Sequence, residues 1–431
     1  MTQPATKVTP TDTPRLPFVV PLLTLGTFLM ITTEYLVAGL LQEISADFGV
    51  SVAQVGLLIT AFAIGMIIGS PLMALATLRL ARRATLVLAL FVFAAGHVLA
   101  ALSSDFGIVA IARVITALAA GAFWAVAAVV ATTAAGPANS SRALGVMMSG
   151  VGLATVVGVP LGAFAGQLLG WRGTFWALAF LAAAAAPVIA KYVPSTQNRG
   201  TTSALAEFRA VATGRMAILI LATILATGGY MTVFSYLSPL ATERAGIPAA
   251  AVPMVFIAFG AGAIIGTNLG GRFADKRPLT TFITATAATI VLTLLLIPLS
   301  ANAAAVYILM FLLGTAGMGI PPIGTGLAVR FAHTAPTLAA AISVSAFNGG
   351  TALGAWTGAS ALESSLGNMG PLTVATIMAS LGLLTLLVMA SLRLIQDCSQ
   401  SCEHPRPVTG NRGRDDGRTE TAEQIRTKEN T

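Results

Sequence analysis

Residues 61–69 read AFAIGMIIG and residues 258–266 read AFGAGAIIG, so the two stretches align without a gap at a shift of 197 residues (258 − 61). A second match, at nearly the same shift, places Gly158 on Gly354. Because two separate segments share one offset, the chain is predicted to consist of two related halves. Both matches lie in apolar sequence, which indicates a membrane repeat. Paired halves with a site between them are typical of many secondary transporters.

Composition places most of the chain in lipid rather than in water. Hydrophobic residues make up 56% of the 431 residues and charged residues only 9%, whereas a soluble domain carries about 25% charged residues. Apolar runs of about 20 residues are long enough to cross a bilayer as helices. Twelve runs predict an all-α membrane protein with twelve transmembrane helices in two six-helix repeats: 17–41, 52–77, 84–102, 107–133, 143–168, 173–192, 215–240, 249–271, 279–299, 303–329, 338–361 and 371–394.

These spans divide the chain into five predicted segments. A cytoplasmic N-terminal segment, 1–16, precedes the first six-helix bundle, 17–192. A polar cytoplasmic linker, 193–214, has the Ser, Thr, Asn and Gly content of a loop. The second bundle covers 215–394, and the charged tail, 395–431, is predicted to be disordered.

The basic residues are distributed unevenly between the two sides of the predicted bundle. Loops on one side carry fourteen Lys and Arg residues, and loops on the other carry only Arg172 and Arg244. Basic loops remain in the cytoplasm, so both termini are predicted to be cytoplasmic. The net charge of +8 then follows from topology, and no nucleic-acid partner is predicted. The fourteen residues are Lys7, Arg15, Arg79, Arg82, Arg83, Arg142, Lys191, Arg199, Arg209, Arg215, Arg272, Lys276, Arg277 and Arg330.

Away from the ends of the predicted spans, two charged residues lie inside them, Glu34 in the first and Arg113 in the fourth. Each such group costs about 3 kcal/mol or more in a membrane, and both are predicted to lie roughly 10 Å below the outer surface at 1.5 Å per residue. One interpretation is a proton site, in which an apolar cavity favours the neutral carboxyl group and Arg113 favours the carboxylate. The alternative is a permanent ion pair that holds two helices together. We favour the proton site.

The remaining polar candidates indicate no catalytic or metal site. His97, in the third span, has apolar neighbours, so a hydrogen-bonded packing histidine is favoured over a titrating one. Cys398 and Cys402 fit no common zinc spacing and are interpreted as incidental thiols. No G-x-x-x-x-G-K-[ST] sequence is present, so no nucleotide or other cofactor is predicted, and the chain is not predicted to be an enzyme.

Several stretches carry motifs of a known family. Residues 271–277 read GRFADKR, which looks like the G-x-x-x-D-[RK] signature between the second and third helices of a half. In the first half, residues 74–83 read ALATLRLARR and keep the basic residues without the glycines and the aspartate. Arg113, followed by Gly121, resembles the fourth-helix motif, with Ala117 where its first glycine usually stands.

Three further stretches complete the resemblance. Residues 150–162 (GVGLATVVGVPLG) resemble the fifth-helix motif associated with antiporters, 33–41 (TEYLVAGLL) resemble the first-helix pattern, and 170–176 (GWRGTFW) resemble the start of the sixth helix. The chain over nearly all of 17–394 therefore resembles the drug:proton antiporter branch of the major facilitator superfamily. Within that branch it looks most like the bacterial chloramphenicol-resistance and arabinose-efflux permeases. The resemblance implies location in a bacterial cytoplasmic membrane.

A group of small and charged residues is predicted to act in conformational change. Gly158 and Gly162 leave one helix face bare, which would let a helix of the other half approach closely, and Pro160 would bend the helix there. The alternative is ordinary small-residue packing, because Gly354 and Gly358 recur in the twin helix. The predicted group consists of Arg79, Arg82, Arg83, Gly158, Pro160, Gly162, Gly271, Asp275 and Lys276.

The substrate site is predicted between the halves, near the middle of the membrane. Aromatic walls with a few amides suit an amphipathic compound that contains a ring. The alternative for each candidate is contact with lipid or packing. The candidates are Tyr35, Trp124, Tyr230, Phe234, Asn268 and Asn348.

The predicted function is export of a small amphipathic compound, most simply a chloramphenicol-like drug, in exchange for protons. The predicted partners are this substrate, protons and the lipid bilayer, without an obligate protein partner. A sugar or metabolite exporter or facilitator of the same fold is the first alternative. A membrane sensor or an intramembrane enzyme is the second, but it would need a signalling domain or a catalytic cluster.

Overall fold

The computed structural model describes residues 16–76, 80–136, 139–194, 211–332 and 335–403, apart from the side chains of 74–76, 141, 275, 336–337 and 393–403. Arg79 and most of the predicted linker and tail lie outside these residues, as do the side chains of Asp275, Cys398 and Cys402. The boundaries of the five predicted segments remain predictions.

Within the described residues, every regular element of eight or more residues is a helix. Numbered in chain order, those of the first half are α1 (Val19–Gly39), α2 (Leu41–Phe48), α3 (Val52–Ala76), α4 (Arg82–Leu102), α5 (Phe106–Ala135), α6 (Ser140–Leu153) and α7 (Val159–Tyr192). Those of the second half are α8 (Gly214–Ser235), α9 (Val252–Lys276), α10 (Pro278–Leu299), α11 (Ala303–Gly317), α12 (Ile320–Phe331), α13 (Pro336–Leu362) and α14 (Gly370–Glu403).

Eleven helical stretches of the described residues are long and apolar enough to cross a membrane, and one of them is long enough to cross twice. That stretch, Arg142–Tyr192, has 51 residues. It is interrupted at Gly170, whose φ of 74° is a left-handed value that favours glycine. The Thr174 hydroxyl group donates to the Gly162 carbonyl oxygen at 3.2 Å, whereas twelve residues of straight helix would separate them by about 18 Å. The chain therefore reverses at Gly170, and the predicted twelve crossings, six in each half, are confirmed.

A π-helical turn, Ala154–Gly158, joins α6 to α7 in front of Pro160. Proline has no N–H group to donate to the preceding turn, and its ring displaces the carbonyl group four residues earlier. A wider turn at this place accommodates both effects. The fifth crossing is consequently distorted at the residues that carry the predicted antiporter motif.

Large apolar side chains cover the outside of the bundle. Phe180, Ile308 and Leu384 are each more than half exposed in the isolated chain. Such a surface is stable only when an apolar solvent covers it, which lipid provides. The protein is therefore a multi-pass membrane protein.

Several pairs of elements join the two halves, among them α3 with α13, the π-turn with α9, α7 with α9, and α1 with α8. In the first pair, the Ser345 hydroxyl group donates to the Ile67 carbonyl oxygen at 2.9 Å. In the second, Gly260 brings α9 against the backbone of Thr155, where an added Cβ atom would meet that backbone. Since α1 contacts the second half as well as its own, it lies at the interface between the two halves.

Polar contacts also join the halves at one end, which we call the outer end in accordance with the charge-based prediction. Gln42 Nε2 donates to Thr242 Oγ1 at 2.8 Å, and Gln167 Nε2 donates to the Ala249 carbonyl oxygen at 2.8 Å. A third contact, from Ser51 Oγ to Glu363 Oε1, also measures 2.8 Å. The outer ends of the two halves are therefore held together in this structure.

Candidate functional site

Glu34 lies buried in α1 at the interface of the halves. Its side chain is 6% exposed, and Oε1 makes no hydrogen bond among the described residues. A small cavity between the bundles lies against Glu34. Residues of both halves line this cavity: Glu34, Tyr35, Ala38, Ile59, Met231, Phe234, Ser235 and Thr351.

Arg113 lies on α5 and is 1% exposed. Its Nη1 atom donates to Thr33 Oγ1 at 3.0 Å, and its guanidinium group lies 4.3 Å from the centre of the Phe62 ring. Nε and Nη2 make no hydrogen bond within the described part of the chain. Nε and Nη2 carry three of the five N–H groups of this cation, so more than half of its donor groups make no hydrogen bond with the described residues.

Glu34 and Arg113 are near enough to interact electrostatically, but they do not touch. No nitrogen of Arg113 lies within 4.0 Å of a Glu34 oxygen, the limit for a salt bridge. The sequence predicted a similar depth for the two groups, but depth gives no information on where each side chain points. The permanent ion pair, considered above as an alternative, is not formed between them here.

His97 and Thr33 belong to this site, although the sequence-based prediction gave them no part in it. His97 Nε2 lies 2.7 Å from Thr33 Oγ1, and His97 Nδ1 lies 2.8 Å from the Phe93 carbonyl oxygen. The ring stacks between Phe93 and Phe175, at centre distances of 4.2 and 5.4 Å. The sequence could have indicated that His97 belongs to the site. His97 lies five residues before the end of α4 at Leu102 and so roughly 8 Å deep, close to the depth of roughly 10 Å predicted for Glu34 and Arg113.

Two of the predicted substrate residues meet at the interface. The Tyr35 and Phe234 rings contact each other edge to face at 5.4 Å, and Phe234 packs in turn against Phe256 and Phe259 of α9. Both Tyr35 and Phe234 line the cavity beside Glu34. Residues of both halves therefore form an aromatic wall beside Glu34.

The other substrate candidates lie outside this cavity. Tyr230 is fully buried on α8, and Asn348 is 1% exposed on α13, with Oδ1 lacking a hydrogen bond in the described residues. Trp124 is half-buried against the core. Asn268 is exposed, and its side chain donates to the Ile264 carbonyl oxygen of its own helix at 2.8 Å.

The buried polar side chains of the second half are uncharged throughout its described residues. They are hydroxyl groups and one amide: Thr223, Thr227, Thr232, Ser235, Ser238, Thr286, Thr289, Thr293, Ser300, Ser343, Asn348 and Thr351. The charged residues that are buried in the described part of the chain, Glu34 and Arg113, both belong to the first half. The site is therefore chemically asymmetric.

The bare face of the fifth crossing has a different partner from the predicted one. Added Cβ atoms at Gly158 and Gly162 would overlap Thr32 and Leu36 of α1, which belongs to the same half. The close approach to the other half is made instead by Gly152, which faces Ile264, and by Gly260. Small residues occur on both faces of this helix, so the sequence could not decide which face meets which neighbour.

The charged residues predicted to act in conformational change lie at helix ends. Arg82 Nη1 donates to Thr133 Oγ1 of α5 at 3.2 Å. Arg83 and Lys276 are exposed, and Gly271 has open space where a Cβ atom would be. Their roles remain predictions.

Comparisons with known proteins agree with this architecture. A chloramphenicol resistance protein of Streptomyces lividans is 34% identical over 372 residues, which cover 84% of this chain and 94% of that protein. A probable sugar efflux transporter of Helicobacter acinonychis is 31% identical over 339 residues, covering 77% and 85% of the two chains.

A crystal structure also has the same fold. It is that of a bacterial homologue of the human lysosomal transporter Spinster, in an inward-facing and occupied conformation, at 17% identity and a TM-score of 0.67. The alignment covers 91% of this chain and 98% of that one. The model of the Major Facilitator Superfamily matches residues 23–355. The chain therefore belongs to the Major Facilitator Superfamily and is a membrane transporter, not an enzyme.

Proposed function

We propose that this transporter exports a small amphipathic drug-type compound in exchange for protons, by alternating access of a site between its halves. The observation that carries the proposal is the buried carboxyl group of Glu34, which lines a cavity between the halves and is not neutralised by an ion pair. A membrane-buried acid is a functional site by default, because an idle one would only destabilise the protein.

Proton coupling follows if the two protonation states of Glu34 favour different access states. A ligand shifts a conformational equilibrium only by binding one state better than the other. The neutral carboxyl group suits the closed apolar surroundings of this structure, and the carboxylate suits a hydrated, open cavity. A proton that enters from outside would therefore drive one half of the cycle, without a cofactor.

A compound that contains a ring fits the cavity wall. Tyr35 and Phe234 offer aromatic surface, while Ser235 and Thr351 offer hydroxyl groups. Apolar walls with a few polar groups are the usual features of a small-molecule site. The Streptomyces lividans relative is named a chloramphenicol resistance protein, so a chloramphenicol-like compound is the proposed substrate.

The proposal includes a location and an orientation. The chain would cross the bacterial cytoplasmic membrane in two bundles, 17–192 and 215–394, with both termini in the cytoplasm. The excess of basic residues in the loops at one end supports this orientation. Lipid, substrate and protons are the proposed partners.

Export of a sugar or another metabolite is the second candidate. The uncharged hydroxyl and amide groups buried in the second half favour it, as does the Helicobacter acinonychis relative, named a probable sugar efflux transporter. Uptake of labelled arabinose and of labelled chloramphenicol by everted vesicles, measured separately, distinguishes the two candidates. Uptake of the sugar without uptake of the drug would favour the second.

Replacement of Glu34 tests the proton assignment. In a bacterial host without its own drug pumps, Glu34→Gln should reduce chloramphenicol resistance to the level of the empty vector, because glutamine cannot exchange a proton. Membrane insertion should be unchanged. Glu43→Gln, which alters an acid outside the spans, is the matched control and should retain resistance. Full resistance of Glu34→Gln, or undiminished efflux when a protonophore collapses the gradient with ATP intact, would contradict the proposal.

A further inference from the structure

Side chains of three helices of the first half form one buried hydrogen-bonded chain. It runs from Arg113 Nη1 on α5 to Thr33 Oγ1 on α1 at 3.0 Å, and from there to His97 Nε2 on α4 at 2.7 Å. His97 Nδ1 continues it to the Phe93 carbonyl oxygen at 2.8 Å. Arg113, Thr33 and His97 are each at most 1% exposed. Such a fully buried polar chain fixes the positions of its members.

The direction of each hydrogen bond in this chain follows from its last member. A carbonyl oxygen only accepts, so His97 Nδ1 carries the hydrogen atom and the Phe93 oxygen accepts it. In a neutral ring, Nε2 is then a bare acceptor, and the Thr33 hydroxyl group donates to it. The oxygen of Thr33 remains free to accept from Arg113. A neutral His97 therefore orients Thr33 as an acceptor for the guanidinium group.

The positive charge of Arg113 favours this neutral form of His97. From α5 it faces Arg113, and from α1 it faces Thr33, next to Glu34. On α7 its packing partner is the apolar Phe175, and on its own helix it is Phe93. A second positive charge beside Arg113 would be repelled, and it would also remove the acceptor that Thr33 needs.

The hydrogen-bonded chain from Arg113 to Phe93 determines which side of α1 holds the guanidinium group. Thr33 and Glu34 are consecutive residues, so their side chains leave the helix about 100° apart. We propose that His97 is a positioning residue: through the Thr33 hydroxyl group it holds Arg113 on the Thr33 side of α1 and so keeps the Glu34 carboxyl group free for protons. This inference rests on the proposed function, since it assigns the device that keeps the proton site available.

If this hydrogen-bonded chain is broken, Arg113 should turn to Glu34 and form the ion pair that this structure lacks. A positive charge at close range would lower the pH at which the Glu34 carboxyl group loses its proton by about one unit or more. In proteoliposomes with labelled chloramphenicol, His97→Phe and Thr33→Val should each shift the pH of half-maximal exchange by about one unit to lower pH. The double variant should shift no further, because either change breaks the same chain.

Three conservative variants separate positioning from packing. His97→Gln keeps an acceptor near the Nε2 position, and Thr33→Ser keeps the hydroxyl group, so both should retain the pH profile of the unaltered protein. Thr32→Val is the matched control for Thr33→Val, because the neighbouring Thr32 hydroxyl group makes no hydrogen bond in the described residues. Its profile should also be unchanged.

The outcomes distinguish this inference from the proposed function. If the unaltered protein exchanges substrate for protons and Glu34→Gln does not, while Thr33→Val and His97→Phe keep the original pH profile, the positioning role is wrong and the function stands. If the Glu34→Gln variant still exchanges substrate for protons, the proposed function is wrong, whatever the other variants show. If the His97→Phe variant does not insert into the membrane, the nearly isosteric Thr33→Val variant still tests the positioning role.

Discussion

At the scale of single residues, Glu34 and Glu43 show how position along one segment changes the chemistry of an acid. Glu34 is enclosed by both halves within a span, whereas Glu43 lies on α2, outside the spans and half-buried. Burial raises the pKa of the Glu43 carboxyl group, and a hydrogen bond from its own backbone partly offsets this effect. Glu43 Oε2 makes no hydrogen bond within the described chain.

Glu43 should therefore make stability depend on pH. A carboxyl group whose pKa is higher in the folded state than its ordinary value of 4.5 favours folding below that value. That contribution is lost as the pH rises through the folded-state pKa. Glu43→Gln should leave the melting temperature in detergent nearly unchanged at pH 4 and raise it by about 1–2 °C at pH 7.5. A larger gain at pH 4 than at pH 7.5 would contradict this assignment.

At the scale of elements, the reversal at Gly170 creates two crossings from one helical stretch. Its backbone, at φ 74° and ψ 158°, lies in a region essentially restricted to glycine. The residues that follow attach the turn to α2, since Trp171 Nε1 donates to Asp47 Oδ2 at 3.1 Å and Arg172 forms a salt bridge to the same carboxylate. The sixth crossing therefore begins at a fixed point.

Gly170→Ala should destabilise the protein through its backbone alone. An added Cβ atom would meet nothing within 4 Å, so the cost is that of the unfavourable φ and ψ, about 1–3 kcal/mol. The melting temperature in detergent should fall by a few degrees. Gly145→Ala on α6 is the matched control, because its Cβ atom also has open space but its φ is ordinary. Equal melting temperatures for both variants would show that the chain can reverse at this place without a glycine.

At the scale of the whole molecule, the outer polar contacts hold the halves together above the buried site. The contact from Ser51 to Glu363 is accessible from water, whereas the aromatic contact between Tyr35 and Phe234 lies deeper. Alternating access requires both layers to separate when the cavity opens outward.

A covalent link between the outer ends should therefore stop transport. In a variant with Cys398 and Cys402 replaced by serine, a short thiol crosslinker should join Ser51→Cys to Glu363→Cys, which replace groups now 2.8 Å apart. Export should fall to background and recover when a cleavable crosslinker is reduced. Each single-cysteine variant should remain active under the same treatment. Normal export by the crosslinked protein would mean that this end need not open.

The number of crossings and the repeat could be predicted from the sequence, because apolar length and a constant offset are one-dimensional properties. The depth of Glu34 and Arg113 could be predicted in the same way. Their separation could not, because depth leaves the direction of each side chain undetermined. Arg113 donates to Thr33 rather than to Glu34, and only the folded contacts among α1, α4 and α5 show it.

Among the described residues the buried charges are confined to one half, and this has a consequence for divergence among such transporters. If acid–base chemistry resides in the first bundle, substitutions among the hydroxyl and amide groups of the second can alter which cargo is carried without disturbing the energy source. Selection for transport of a new compound would then substitute mainly residues of α8 and α13. Under the proposed function, replacements at Glu34 or Arg113 would instead uncouple transport from the proton gradient, whatever compound is carried.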